Sequence, residues 1–109
     1  MFLSRIRAAA APAGVEVHTV RAPDELVAAC RGEPPALVVL DLDSPSLPAL
    51  AAVRALRAEP ATSGVTALGF YSHVHPERGR EALEAGCSRA LPRSVFVQEL
   101  ARLLAPPRR

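Results

Sequence analysis

The sequence has 109 residues, a length that suits one small domain. Half of the residues are hydrophobic and 4% are aromatic, so the core must be built mainly from Ala, Val and Leu. The net charge of +2 is carried by scattered arginines, which argues against nucleic-acid binding, and no apolar run is long enough to cross a membrane.

The first segments predict a helix followed by a strand. Over residues 2–11, apolar side chains recur at helical spacing, at Phe2, Ile6 and Ala9 or Ala10. Pro12 and Gly14 are expected to end this helix. Residues 15–20 then alternate between apolar and polar, which is typical of a half-buried strand.

A second helix and a second strand follow. Pro23 and Asp24 open the helix and Gly32 ends it. Its expected inward side chains are Leu26, Ala29 and Cys30. Residues 36–40 form an uninterrupted apolar run, which predicts a central parallel strand with both faces covered.

The middle of the chain repeats this alternation. Ser46 is expected to cap a helix that has Pro48 in its first turn. The apolar positions of that helix are Leu50, Val53 and Leu56. Residues 65–71 predict another strand.

The last elements are two helices around a short strand. Pro76 begins the first helix and Gly86 ends it, with Ala82, Leu83 and Cys87 expected to face inward. Residues 89–92 predict the strand. Ser94 is expected to cap the closing helix, whose apolar stripe consists of Phe96, Leu100, Leu103 and Leu104.

This strict alternation predicts an α/β fold in which a parallel sheet carries helices on both faces. In such sheets, ligands bind beyond the carboxyl ends of the strands. Three polar signals fall at such ends: Asp41 with Asp43, Ser72 with His73, and Arg93. Together a carboxylate, a hydroxyl and a guanidinium could accept or bind a phosphoryl group. Taken singly, each is also an ordinary loop residue.

The order and spacing of these segments resemble the receiver domain of bacterial response regulators, of the single-domain chemotaxis type. The resemblance is carried by ALVVLDLDSP at residues 36–45, by ALEAGCSRAL at residues 82–91 and by the closing helix VFVQELARLL. It covers residues 2–104 and implies a three-layer α/β/α, flavodoxin-like fold. A single receiver-like domain over residues 1–109 is expected, with residues 105–109 as a frayed tail.

The resemblance also implies roles for individual residues. Asp41 takes the phosphoacceptor position, and Ser72 takes the hydroxyl switch position, with Tyr71 as an alternative alignment. Arg93 stands where the family has a phosphate-contacting Lys. Receivers use Mg²⁺ for phosphotransfer, and Asp41 and Asp43 are the candidate ligands here, a small set for an ion that prefers several oxygens.

Three departures from the family pattern favour a pseudo-receiver, in which phosphorylation of Asp41 is lost. The acidic pair that follows the family's first strand has no counterpart, because no acidic residue precedes Glu16. Arg93 replaces the Lys, and a planar guanidinium is not equivalent to an ammonium. Ala90 occupies the aromatic switch position.

The first departure is also structural. Four strands are visible, and the strand that normally lies at the centre of the sheet is missing. Either the strands at residues 15–20 and 36–40 pair directly, a partner fills the gap, or the N-terminus is incomplete. Unpaired strand edges inside a sheet are costly.

The sequence therefore predicts a cytoplasmic signalling module of a two-component phosphorelay pathway that acts through protein–protein interaction. Its expected partners are a histidine kinase or a downstream signalling protein, contacted through the last strand and its flanking helices. A homodimer is a candidate assembly, and no nucleic acid or membrane is expected to bind.

Two other classes of protein compete with this interpretation. In an anti-sigma-factor antagonist domain, Ser44 would be phosphorylated by a kinase. An enzyme is not expected, because the sequence has neither a Gly-rich phosphate loop nor a nucleophile elbow. Cys30 and Cys87 lack metal-site spacing and are interpreted as small buried hydrophobes.

Overall fold

The computed structural model of the chain describes residues 2–20, 22–32, 34–44 and 48–104. In this part of the chain the elements are α1 (Phe2–Ala13), α2 (Pro23–Gly32), β1 (Val38–Asp41), α3 (Ala49–Ala58), β2 (Ala67–Tyr71), α4 (Glu77–Ala85), β3 (Arg89–Pro92) and α5 (Arg93–Leu104). They divide into two compact units. One unit spans Val20–Arg93 and contains the sheet, and the other contains α1 and α5 from Ser94 onward.

The sheet is parallel throughout, in the order β1–β2–β3. Leu40 is in register with Gly69, and Gly69 with Ala90. β2 is therefore the middle strand of the described sheet, and its first four residues are all buried. The expectation of a central strand at residues 36–40 is wrong: β1 begins at Val38, alternates buried and half-buried residues, and pairs on one side with β2.

The core of the sheet-containing unit is aliphatic, as the composition requires. Val53 and Leu56 of α3 are fully buried, and Leu40 of β1 is 2% exposed. Cys30 and Cys87 belong to the same core cluster as these residues. In both thiols, burial raises the pKa, and in Cys87 the nearby Arg57 guanidinium opposes this to a smaller extent. Both cysteines are free and behave as buried hydrophobes, as expected.

The segment at residues 15–20 is not a strand. α1 runs through Pro12 to Ala13, and Gly14 follows in the left-handed conformation with a φ of 71°. The N–H of Gly14 donates to Ala11 and that of Val15 to Ala10, the two hydrogen bonds of a Schellman helix end. Val15 thus belongs to the helix terminus. Alternating polarity alone does not make a strand, because a strand also needs a paired neighbour.

Several predicted inward positions are shifted. In α2 Leu26 and Cys30 are buried as predicted, Val27 is buried as well, and Ala29 is exposed. In α4 the buried positions are Gly79, Ala82 and Ala85, and Leu83 is 51% exposed. The boundaries of both helices agree with the prediction, so the exposure of Ala29 and Leu83 depends on which neighbouring elements pack against each helix.

Two predicted caps also differ. Ser94 lies inside α5, which begins at Arg93, and is therefore not its cap. Pro48 directly precedes α3 and makes no side-chain capping bond, while the proposed cap Ser46 lies outside the described residues. A strand that passes directly into a helix, as β3 does into α5, leaves no separate loop residue in which a cap signal could appear.

The unit formed by α1 and α5 has its own buried residues. Ala10, Phe96 and Leu100 are at most 5% exposed. Leu103, Leu104 and Ile6 are half-buried. The predicted apolar stripe of the closing helix is confirmed for its first half. The side chain of Phe2 and residues 105–109 lie outside the described part of the chain.

A polar cluster around Arg57 closes the amino end of the sheet. From α3, Arg57 donates hydrogen bonds to the backbone oxygens of Gly86 at 2.9 Å, Ser63 at 2.9 Å and Val65 at 2.5 Å. Gly86 has a φ of 124°, and a Cβ there would lie 2.8 Å from the Arg57 side chain, so only glycine fits. We call this group the amino-end cluster.

Candidate functional site

The parallel order of the strands brings their carboxyl ends to one edge of the sheet. Asp41 is the last residue of β1 and is in register with Phe70 of β2. Tyr71, the last residue of β2, is in register with Pro92, the last residue of β3. Asp41, Ser72 and Arg93 therefore all lie at strand ends on the same edge, as the sequence predicts.

Asp41 is half-buried and organises the turn that follows β1. Its Oδ1 accepts a hydrogen bond from the backbone N–H of Asp43 at 2.9 Å. Its backbone oxygen accepts from the N–H of Ser44 at 3.3 Å. This is an Asx turn, the local arrangement that an aspartate at a strand end favours. The turn aims the side chain of Asp43 back across the edge.

Asp43 is held by two arginines from distant parts of the chain. Its Oδ1 accepts a hydrogen bond from Nη1 of Arg78 at 2.5 Å, and its Oδ2 accepts one from Nη2 of Arg93 at 2.6 Å. The Asp43 side chain is 13% exposed, against 35% for Arg78 and 44% for Arg93. We call these three residues the carboxylate clamp.

The clamp changes how two predicted site residues are interpreted. Asp43, a candidate Mg²⁺ ligand in the sequence, is an acceptor for two guanidinium groups, while Asp41 forms the turn. Arg93, which the resemblance predicts to contact phosphate, donates to a carboxylate of the protein itself. Charge-assisted bonds of this kind are stronger than neutral ones, particularly where solvent is partly excluded.

Ser72 lies at the edge but takes part in a separate turn. Its Oγ accepts from the N–H of Val74 at 3.4 Å, and its backbone oxygen accepts from the N–H of His75 at 2.9 Å. Tyr71, the alternative hydroxyl position, packs against α4: a Cβ on Gly79 would lie 2.6 Å from its ring. Ala90 is half-buried in β3 and packed against the core.

Arg78 is the residue that the sequence analysis missed. It lies in the first turn of α4, one residue after Glu77. The signal that could have found it is topological: the connection between β2 and α4 is short, so the first turn of α4 must lie near the carboxyl edge of the sheet. Nothing in the local sequence distinguishes Arg78 from its neighbour Arg80.

The donors at this edge fit a magnesium ion poorly. Both oxygens of Asp43 are engaged by guanidinium groups, and one oxygen of Asp41 is engaged by a backbone N–H. In the described residues, no group of three or more His, Cys, Asp or Glu side chains is placed to hold a metal ion. Mg²⁺ demands near-octahedral oxygen ligands and would have to displace two cations from Asp43.

Comparison with known proteins supports the fold. No protein-family model matches the chain, and no curated protein matches it in sequence. Solved structures match over most of its length: a putative response regulator from Chloroflexus aurantiacus has a TM-score of 0.79 at 19% identity, covering 94% of this chain and 84% of that one.

Two further matches are receiver domains. That of a sensor histidine kinase from Pseudomonas aeruginosa, described with a magnesium ion in its active-site cleft, has a TM-score of 0.76 at 22% identity, covering 94% of this chain and 84% of that one. That of NtrX from Brucella abortus has a TM-score of 0.73 at 18% identity, covering 90% and 82%. In the part of this chain that the structure describes, no helix could span a bilayer. The chain has the α/β fold of a response regulator receiver domain, with a parallel sheet flanked by helices.

Proposed function

We propose that this chain is a receiver-like signalling module that acts through protein–protein interaction and does not use a phosphate cycle at Asp41. The observation that carries the proposal is the hydrogen bond from Arg93 to Asp43 at 2.6 Å. The cation at the position that would contact a phosphoryl group is already neutralised by a side chain of the protein.

Phosphotransfer to Asp41 requires a carboxylate oxygen to attack phosphorus while cations balance the charge on the phosphoryl oxygens. Here Asp43 competes for Arg93, and Oδ1 of Asp41 accepts the N–H of Asp43. Mg²⁺, which the Pseudomonas aeruginosa receiver is described as holding, would have to take Asp43 from Arg78 and Arg93. The hydrogen bonds at this edge stabilise the turn after β1 and disfavour phosphorylation of Asp41. We therefore propose that the chain is a pseudo-receiver.

The exposed apolar residues around α4 support binding to a protein partner. Val74, before the helix, is 63% exposed, and Leu83 within it is 51% exposed. Large apolar side chains in such positions contribute contact area to protein interfaces. We therefore propose a histidine kinase or downstream signalling protein as the partner, in the cytoplasm of a bacterial two-component system, with no catalytic activity in the chain. A homodimer is the other assembly to test.

The experiment is incubation of the purified chain with acetyl phosphate and Mg²⁺, read by intact mass beside a phosphorylation-competent receiver as positive control. We expect the positive control to gain one phosphoryl group and this chain to gain none. A phosphoryl group on the wild type that is absent from Asp41→Asn would show that the chain is a working receiver.

A second measurement distinguishes the alternative class. Phosphopeptide mapping of the protein isolated from its source cell would place a phosphate on Ser44 if the chain were an anti-sigma-factor antagonist domain. The backbone N–H of Ser44 is engaged in the turn after β1, and the solved structures that match the chain are response regulators and receiver domains. We expect no phosphate there.

A further inference from the structure

Arg78 and Arg93 have the geometry of an oxyanion-binding site. The two guanidinium groups come from the first turn of α4 and from the residue directly after β3. They meet at one carboxylate, each donating to a different oxygen. Phosphate and sulfate also present several oxygens about a central atom, so the same pair of donors can bridge them.

The occupant of this site is supplied by the chain. Asp43 lies 35 residues before Arg78 and 50 before Arg93, so the carboxylate joins three segments that are remote in sequence. The Asx turn at Asp41 delivers it, because the N–H of Asp43 is fixed on Oδ1 of Asp41. Asp43 therefore supplies, permanently and from within, the negative charge that an anion would otherwise bring.

Burial makes this arrangement more than a surface ion pair. The carboxylate is shielded at 13% exposure, whereas both arginines keep a third or more of their side-chain surface in solvent. A shielded acceptor strengthens the charge-assisted bonds, and exposed donors leave a path for an external anion. Arg78 also lines an open groove of about 330 Å³ beside the turn that follows β1.

We propose that Arg78 and Arg93 form an anion-binding site for phosphate-type oxyanions that Asp43 fills in the wild-type protein, so that the chain is locked in an anion-liganded state without any modification. This extends the proposed function, because it assigns a reason for the loss of the phosphate cycle. External phosphate binds only when the Asp43 carboxylate is removed.

The charges near the site set how tightly it binds. With Asp43 present, two guanidinium groups bind the Asp43 carboxylate, and the Asp41 carboxylate lies in the same turn, bonded to the backbone N–H of Asp43. Removing Asp43 leaves two positive charges and one negative charge. Asp41 then still repels an incoming anion, so removing its charge as well should tighten binding several-fold.

The test is thermal unfolding with inorganic phosphate titrated against chloride at constant ionic strength. We expect no phosphate-specific shift for the wild type. Asp43→Ala is expected to gain about 4 °C once phosphate exceeds its dissociation constant several-fold. The double variant Asp41→Asn/Asp43→Ala should reach that shift at several-fold lower phosphate.

Matched controls separate the site from net charge. Glu84→Ala removes one negative charge from an exposed position on α4, and should behave as wild type. Asp43→Ala/Arg93→Ala should lose the phosphate response. If Asp43→Ala does not fold cooperatively, Asp43→Asn, which keeps the side-chain shape, is titrated by NMR with the Arg78 and Arg93 side-chain signals as the readout.

The possible results are distinct. No phosphate-specific response in the Asp43 variants, or an equal response in Glu84→Ala, overturns the proposal. Labelling of Asp41 by acetyl phosphate would overturn the proposed function instead, and the phosphate titration of the Asp43 variants would still report on the anion site. The two failures can thus be told apart.

Discussion

The two ends of the sheet both depend on arginine, but the acceptors differ. In the amino-end cluster, Arg57 donates to backbone oxygens that belong to the fold and carry no formal charge. In the carboxylate clamp, Arg78 and Arg93 donate to a side-chain carboxylate. The backbone oxygens are fixed by the fold, whereas the Asp43 carboxylate can be removed by a single substitution, which would leave both guanidinium groups without this acceptor. The amino end stabilises the sheet, and the carboxyl end holds two cations on a carboxylate of the chain itself.

The largest expected effect is at the amino end. Arg57→Ala leaves the oxygens of Gly86 and Val65 without this donor, and each lost bond of a partly buried group costs about 1 kcal/mol. We expect a loss of about 2 kcal/mol in the free energy of unfolding, measured by urea denaturation. Arg54→Ala, at an exposed position of the same helix, should change it by less than about 0.5 kcal/mol. Equal losses of unfolding free energy in Arg57→Ala and Arg54→Ala would contradict a special role for the hydrogen bonds of Arg57.

An intermediate effect is expected in the carboxylate clamp. A double-mutant cycle between Asp43→Asn and Arg93→Ala should give a coupling of about 1 kcal/mol at low ionic strength, and less in 1 M salt, since Arg93 is 44% exposed. The matched cycle with Arg80→Ala, an exposed arginine two residues from Arg78, should give about zero. A coupling that is the same for Arg80 and Arg93 would contradict the geometry of the clamp.

The smallest effect is expected at an arginine–carboxylate pair on the surface, in which the Glu59 side chain is 29% exposed. Arg31 and Glu59 form a two-pronged ion pair, and the hydrogen bond from Arg31 holds the pKa of Glu59 below its ordinary value of 4.5. Because the folded pKa is depressed, the stabilisation is present above that ordinary value and is lost as pH falls through the folded pKa. A stability profile from neutral to acidic pH should show Glu59→Gln converging on the wild type at the acid end.

Convergence at neutral pH instead would mean that the pair contributes nothing in solution. Solvent screening keeps the expected difference small, because Arg31 is 55% exposed. The three tests thus concern Arg57 with neutral backbone acceptors, Arg93 with the shielded carboxylate of Asp43, and Arg31 with the more exposed carboxylate of Glu59. The expected effects decrease in that order.

How far the sequence predicts this molecule depends on whether each feature is local. Strand β3 is predicted with its bounds, because Gly86 ends one helix just before it and a helical apolar stripe begins after it. The alternation at residues 15–20 is equally local, yet it predicts a strand wrongly, since pairing depends on another segment. Leu83 fails for the same reason: its exposure depends on what packs against α4.

In the candidate site, too, some features follow from the sequence and others depend on tertiary packing. The parallel topology places Asp41, Ser72 and Arg93 on one edge, and that placement follows from the chain order. The chain order does not predict the carboxylate clamp, because the local conformation of the turn after β1 decides whether Asp43 or Asp41 accepts the hydrogen bond from Arg93. Arg78 has no local sequence signal, so it becomes visible only once α4 is placed against the turn after β1.

The most direct test of the account is NMR of the arginine side chains in the wild type and in Asp43→Asn. We expect resolved, slowly exchanging Nη signals for Arg78 and Arg93 that collapse in the variant, while those of Arg57 stay unchanged. Averaged Arg78 and Arg93 signals in the wild type, like those of an exposed arginine, would contradict it.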